Sequence, residues 1–229
     1  MWAIIDSRSP KDAIENLKKD FDVLEFKSEG ITYNEVSGHP DIFIFQDNKQ
    51  LIIAPNSPKR LIDFLNKHKV DFIFGEKEVG TELNNSTQYN CITTKNHLFH
   101  KKGFTDVAIL KKHSNKKTVN LPQAYTRCSL TKLDENNFIT SDVGIHKTLT
   151  KHNFNTLLVS PKNIKLPGYP YGFFGGTNGI HQNNFYLIGS LEHIENSKAI
   201  EEFIIKNKLN LIELYNGPLY DGGGIFIGL

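Results

Sequence analysis

The stretch LYDGGGIFIGL, residues 219–229, sets three glycines behind an aspartate and follows them with a short apolar run at the end of the sequence. Such a run reads as a β-strand, and a strand at a chain terminus is stable only when something pairs with it. The other end offers a partner. MWAIID, residues 1–6, reads as a strand that leads directly into the helix-like PKDAIENLKKDF, with no hairpin arm before it. The fold reading turns on the expectation that these two ends pair.

Between the ends the sequence repeats itself. Helix-like segments, with apolar residues at helical spacing such as Ala13, Ile14, Leu17 and Phe21, precede β-rich runs at 22–26, 70–74, 117–121, 155–159 and 210–214. Several of these segments open on Ser, Thr or Pro, and Asp142 in ITSDVGIH reads as a helix N-cap. Each β-rich run is followed by a hairpin, with turns expected at Asp47 and Asn48, near Lys95 and Asn96, near Glu135 and Asn136, and near Gln182 and Asn183. Only four hairpins are complete. The fifth begins with the closing stretch, and MWAIID would supply its second arm. Five units in 229 residues give a mean repeat of about 46 residues. The expected fold is therefore α/β, a single domain over residues 1–229, with five units in a pseudo-five-fold ring whose first and last strands close it. An open α/β sandwich is the competing architecture.

With 38% hydrophobic and 23% charged residues, the chain can bury an ordinary globular core. No stretch approaches membrane-spanning length and the opening residues lack a basic leader, so the expectation is a cytoplasmic protein with no membrane partner. Cys91 and Cys128, the only two cysteines, read as free thiols. A net charge of +2 implies no obligate nucleic-acid partner. Lys101, Lys102, Lys111, Lys112, Lys116 and Lys117 nevertheless face a single acid, Asp106, within one segment. That segment is either a solvated face or a docking patch for RNA, the ribosome or protein. Only Arg8, Arg60 and Arg127 are arginines, which weighs against phosphate recognition.

The stretches IIDSRSPKDAI, SGHPDIFIF, YTRCSLTKLDENNFITSDVGI, LPGYPYGFFGGTNGI and GPLYDGGGIFIGL resemble a bacterial family of no established activity placed in the guanidine-modifying-enzyme, or pentein, fold. That fold is a five-bladed α/β propeller shared by arginine and agmatine deiminases, dimethylarginine hydrolase and amidinotransferases. In its catalytic members, a glycine run in the C-terminal unit is followed by a histidine-cysteine pair whose cysteine is the nucleophile. Here Gly222, Gly223 and Gly224 are followed by Ile225, Phe226 and Ile227. On that alignment the resemblance implies a non-catalytic member, like the pentein translation factor that holds ribosomal subunits apart.

The repeat allows a second placement. His39 and Asp41, Asn90 and Cys91, Arg127 and Cys128, Gly175 and Gly176, and Asp221 and Gly222 open successive hairpins, so they occupy equivalent positions around the axis. From Asp221 across the junction to His39 is about one repeat, and from His39 to Cys128 about two. Carboxylate, histidine and thiol then stand in the cyclic order that the resemblance requires, with the chain opened at a different point of the ring. His39 and Asp41 also resemble the His-x-Asp of catalytic penteins. On this reading Cys128 attacks and His39 moves protons, while Asp41, Asp221, Arg127, Gly222 and Gly223 contact a small cationic or amide-bearing molecule. Arg127 and Cys128 are expected in a strand, which would point them to opposite faces. No metal and no organic cofactor is expected. Two function classes stay open: a thiol-dependent hydrolase or deiminase of a guanidino or amide compound, and a non-catalytic pentein that docks through its lysines. Cys128 also has a plain reading as a core residue.

Overall fold

The computed structural model describes residues 1–47 and 49–228; Asn48, assigned to a hairpin turn above, lies outside the described residues. The described chain forms five three-stranded sheets of one plan. In each, an innermost strand runs antiparallel to a middle strand, the outer strand runs parallel to the middle one, and a helix makes the crossover between those two.

The first sheet joins Ile44–Gln46, Leu51–Ile53 and Phe72–Phe74, with helix Lys59–Lys67 as its crossover. The second joins Ile92–Thr93, His97–His100 and Lys117–Asn120 around Val107–Lys112. The third joins Leu130–Lys132, Asn137–Thr140 and Asn155–Leu158 around Val143–Lys151. The fourth joins Asn178–His181, Asn184–Leu187 and Asn210–Glu213 around Ser197–Lys206.

The fifth sheet is built from both ends of the sequence. Phe226–Ile227 is its inner strand, Trp2–Asp6 its middle strand and Asp22–Phe26 its outer strand, with helix Lys11–Leu17 between the last two. Ala3 faces Ile227 and Ile4 faces Phe226 in the antiparallel pair. The Gly228 amide donates to the Trp2 carbonyl at 3.0 Å. The expected pairing of the ends is present, and the architecture is a five-bladed α/β propeller.

Local chemistry explains the repeated helices. Pro10 and Pro58 stand immediately before two of them, where a ring-fixed φ pre-orients the entry and the missing N–H is not needed. Asp106 and Asp142 cap two others by accepting from the amides of Ala108 and Ile145. Lys69, Asn153 and Lys208 each follow a helix end by two residues and adopt positive φ of 53°, 62° and 61°, a left-handed turn that costs a side-chain-bearing residue about 1–2 kcal/mol. The middle strands are the most deeply buried: every residue of Trp2–Asp6 and Leu51–Ile53 is buried, as a strand covered on both faces must be. The outer strands are half exposed.

This plan positions the site. The residues entering the five inner strands meet near the propeller axis, while the strands themselves run away from that meeting point. One local expectation is corrected: Thr126–Ser129 is a helical turn and not a strand. Gln123 shapes its entry by accepting from the Tyr125 amide and the Thr126 hydroxyl. Arg127 and Cys128 therefore diverge by helical geometry rather than by strand alternation.

Candidate active site

His39 lies just before the tight turn Pro40–Ile42, in an extended conformation that the following proline favours, and Asp41 lies within the turn. Cys128 comes from the helical turn two sheets further on. One ligand-type atom from each of His39, Asp41 and Cys128 falls within 4.8 Å of the others. All three residues are buried, at 1%, 0% and 3% exposure.

Asn90 holds the arrangement. Its side-chain amide donates to Asp41 Oδ2 at 2.8 Å, and its carbonyl accepts from the Arg127 amide at 2.6 Å. The Cys128 thiol donates to the same Asp41 oxygen at 2.7 Å. A tetrahedral zinc would hold a sulfur and an oxygen ligand about 3.5 Å apart, so this contact suits a shared proton better than a shared ion. Among the described residues, Asp41 Oδ1 and both ring nitrogens of His39 have no hydrogen-bond partner.

Asp221 approaches from the closing stretch. Its two oxygens accept from the amides of Phe173 at 2.8 Å and Gly223 at 3.1 Å. The glycines here make room. A Cβ on Gly223 would sit 2.6 Å from Asp41 Oδ1 and from His39 Cβ, and one on Gly176 would sit 1.8 Å from Asp221 Oδ1. Gly222 instead packs against Asp6 and Ser9, and its amide donates to the Gly176 carbonyl.

Electrostatics follow from the depth. Burial pushes the Asp41 carboxyl up to about 6, against the opposing effects of the Cys128 hydrogen bond and the Arg127 charge. Burial, helped by the Asp41 and Asp221 charges, holds the Cys128 thiol well above its ordinary value, with Arg127 acting the other way. Desolvation lowers the His39 value although Asp221 and Asp6 favour its cation, and desolvation raises Asp221 although His39 opposes it. Without a ligand the cluster is therefore biased to neutral forms: a thiol, a neutral imidazole and carboxyls reluctant to ionise.

Several residues of the site escaped the sequence reading. Asp6 is fully buried at the end of its strand, where it accepts from Arg8 Nε at 3.0 Å and Arg8 Nη2 at 2.7 Å. Asp6 Oδ2 also stands 3.9 Å from His39 Nε2. The signal available was a carboxylate in an otherwise apolar strand, two residues ahead of an arginine. Tyr33 and Tyr125 form another group, joined hydroxyl to hydroxyl, with Tyr125 bonded on to Ser86. Burial raises both phenols.

Arg127 and Cys91 lie elsewhere. The Arg127 guanidinium donates to the carbonyls of Gly175 at 2.7 Å and Asn178 at 3.3 Å and stacks 5.5 Å from the Phe226 ring centre. With Cys91 it lines a separate cavity between the inner strands. The lysine segment is partly engaged: Lys101 and Lys116 donate to backbone carbonyls, Lys111 pairs with Glu76, and Lys112 donates to Gln50. Among the described residues, no helix is long and apolar enough to cross a membrane.

The architecture is that of the pentein fold, a five-bladed α/β propeller, and in this chain it brings His39, Asp41 and Cys128 into one buried cluster. Solved structures of that class resemble it over nearly its whole length. DDAH from Pseudomonas aeruginosa, a mutant complexed with citrulline, is 11% identical, with a TM-score of 0.52 over 96% of this chain and 92% of that one. The C. jejuni agmatine deiminase is 11% identical, with a TM-score of 0.58 over 94% and 78%. An amidinotransferase from the saxitoxin biosynthetic pathway of Microseira wollei is 9% identical, with a TM-score of 0.53 over 96% and 88%. At such identities the likeness is one of fold. No curated protein matches the sequence. Residues 4–226 match the family of unknown function DUF6873, and the chain belongs to that family.

Proposed function

We propose that the protein is a thiol-dependent hydrolase acting on a carbon–nitrogen bond of a small guanidinium or amidinium compound. The observation that carries this reading is the buried meeting of Cys128, His39 and Asp41 within 4.8 Å, with the His39 nitrogens and one Asp41 oxygen left without partners. A planar cation is the natural occupant, because it can donate to Asp41 Oδ1 and to Asp221 in fixed directions.

The same occupant explains a thiol that is inert at rest. Cys128 is held protonated by burial and by the carboxylates around it, so a bound cation, by offsetting those charges, lowers the cost of the thiolate. The sulfur then adds to the central carbon as its proton passes to neutral His39, and His39, so protonated, delivers that proton to the departing amine. Neutral His39 next takes a proton from water, whose oxygen displaces the sulfur. The products are a ureido or amide compound and an amine or ammonia, and the thiol returns unchanged. In this scheme Asp41 and Asp221 hold the cation throughout, and Gly223 lets the backbone lie close to it. Arg127 acts from behind the cluster by its charge.

The alternative, a ring that docks on RNA, ribosomes or protein through its lysines, has less support, since four of the six are already engaged within the fold. Guanidino, amidino and ureido compounds should be screened with the purified protein for ammonia, amine or citrulline release, with Cys128→Ala alongside. The expected outcome is turnover by the wild type alone. No turnover by either protein, together with no ligand-induced thermal shift, would remove the reading.

A further inference from the structure

The five inner strands enclose a second space, a cavity of about 340 Å³ that contains none of His39, Asp41 and Cys128. The catalytic cluster sits where those strands begin, whereas this cavity lies among their bodies and far ends, bounded by Gln46, Thr93, Lys132, His181 and Gly228. It therefore opens away from the thiol along the propeller axis.

Its charge is one-sided. Arg127 and Lys132 both line it, and among the described residues neither forms an ion pair. Arg127 spends two of its five N–H donors on the carbonyls of Gly175 and Asn178. Lys132 gives one of three to the Thr93 carbonyl at 3.0 Å. His181, also on the lining, has a buried ring nitrogen, Nε2, without a partner among the described residues.

Asp47, the carboxylate on the lining, is already used. Its Oδ1 accepts from the amides of Lys49 and Gln50, and its Oδ2 faces His113 at 3.4 Å and Lys112 at 3.7 Å. Nearby Glu135 accepts from the Lys95 amide. Two half-buried cations with spare donors and no committed carboxylate are completed most simply by an anion. Backbone design also favours Arg127 in this position: a Cβ on Gly224 would lie 2.6 Å from its Nη2, so glycine there admits the guanidinium.

We propose that this cavity is a binding site for a small oxyanion, a carboxylate or phosphate group, held by Arg127 and Lys132. Arg127 supplies the planar fork and Lys132 the point charge, and Asn178 and Phe226 fix the guanidinium plane. The volume accommodates the anionic group with a short carbon skeleton attached. The site stands on its own residues and does not depend on the hydrolase reading. The two sites share a wall, since Arg127 and Cys128 are consecutive, so an anion in one and a thiolate in the other compete for the same positive charge.

The test is titration of the full chain with inorganic phosphate and, separately, with succinate, at ionic strength held constant with sodium chloride. Binding is followed by calorimetry and by amide chemical shifts. The expected result is one-to-one binding of at least one of the two, with shifts at Lys132, Asn178 and Ile227. Lys132→Met should weaken it ten-fold or more, and Lys132→Arg should restore most of it. Which probe binds decides between phosphate and carboxylate. The proposal is overturned if neither binds the wild type, if Lys132→Met binds as well as the wild type, or if the shifts fall on the 101–117 lysines or on the Cys128 cluster. Should Lys132→Met fail to fold, the wild-type titration and the Lys132→Arg protein still decide the matter.

Discussion

Replacing Asp41 by asparagine tests the electrostatics of the cluster through stability alone. Asparagine keeps an oxygen for the Asn90 donor but cannot ionise. In the wild type, burial moves the Asp41 carboxyl from its ordinary 3.8 to about 6, and two units at ~1.4 kcal/mol each amount to about 3 kcal/mol. The sign follows from linkage. A carboxyl with a raised value in the folded state binds its proton more tightly folded than unfolded, so its contribution is full below the unfolded value and is lost as pH rises through about 6. Urea unfolding of both proteins between pH 4 and pH 7 should show the wild type losing about 2 kcal/mol relative to Asp41→Asn, since a small part of the change lies outside that window. His39 and Asp221 titrate in both proteins and largely cancel in the difference. A flat difference curve, or one in which the wild type gains with rising pH, would refute a desolvated Asp41.

Other outcomes follow from the packing. Gly224 adopts φ of +80° with Arg127 against it, so Gly224→Ala should destabilise by at least about 1–2 kcal/mol from backbone conformation alone, read by urea midpoint. Phe226 is 2% exposed, pairs across from Ile4 and supports Arg127. Phe226→Ala should therefore cost about 3–5 kcal/mol and weaken the binding of both oxyanion probes. A value under about 1 kcal/mol would mean that the terminal strand is dispensable to the fifth sheet. Cation binding should also shift the Asp41 proton: near pH 6, calorimetry of a tight guanidinium ligand in two buffers of different ionisation enthalpy should detect proton release, and proton uptake would contradict the scheme.

Much of this fold is readable from the linear pattern, because helix spacing, proline and aspartate entries and turn residues act locally. The outer strand 22–26 and the turn at Gln182 show this directly, the latter with φ of +53°. The pairing of the two ends is also legible, since an orphan strand at each end leaves one simple solution. The site is legible chiefly through symmetry: the His39–Asp41 pair, Cys128 and Asp221 are distant from one another in sequence, and the repeat places them together. What stays hidden depends on side-chain direction. The helical turn at 126–129 sends Arg127 into the second cavity, and nothing in YTRCSL distinguishes that turn from a strand start. Asp6 hides because its neighbour His39 reaches it only in three dimensions, although its partner Arg8 is two residues away. Asn90 is identifiable as an equivalent position, but its bridge between Asp41 and the Arg127 amide is a matter of geometry.

The central claim is that a planar cation placed by Asp41 and Asp221 makes Cys128 a nucleophile. Mass-mapped alkylation by 2-chloroacetamidine, with neutral 2-chloroacetamide in parallel, tests it directly. The account predicts that the amidine labels Cys128 much faster than the amide does, that Cys91 is spared, and that Asp41→Asn abolishes the preference. Equal labelling by the two reagents, or labelling that favours Cys91, would contradict it.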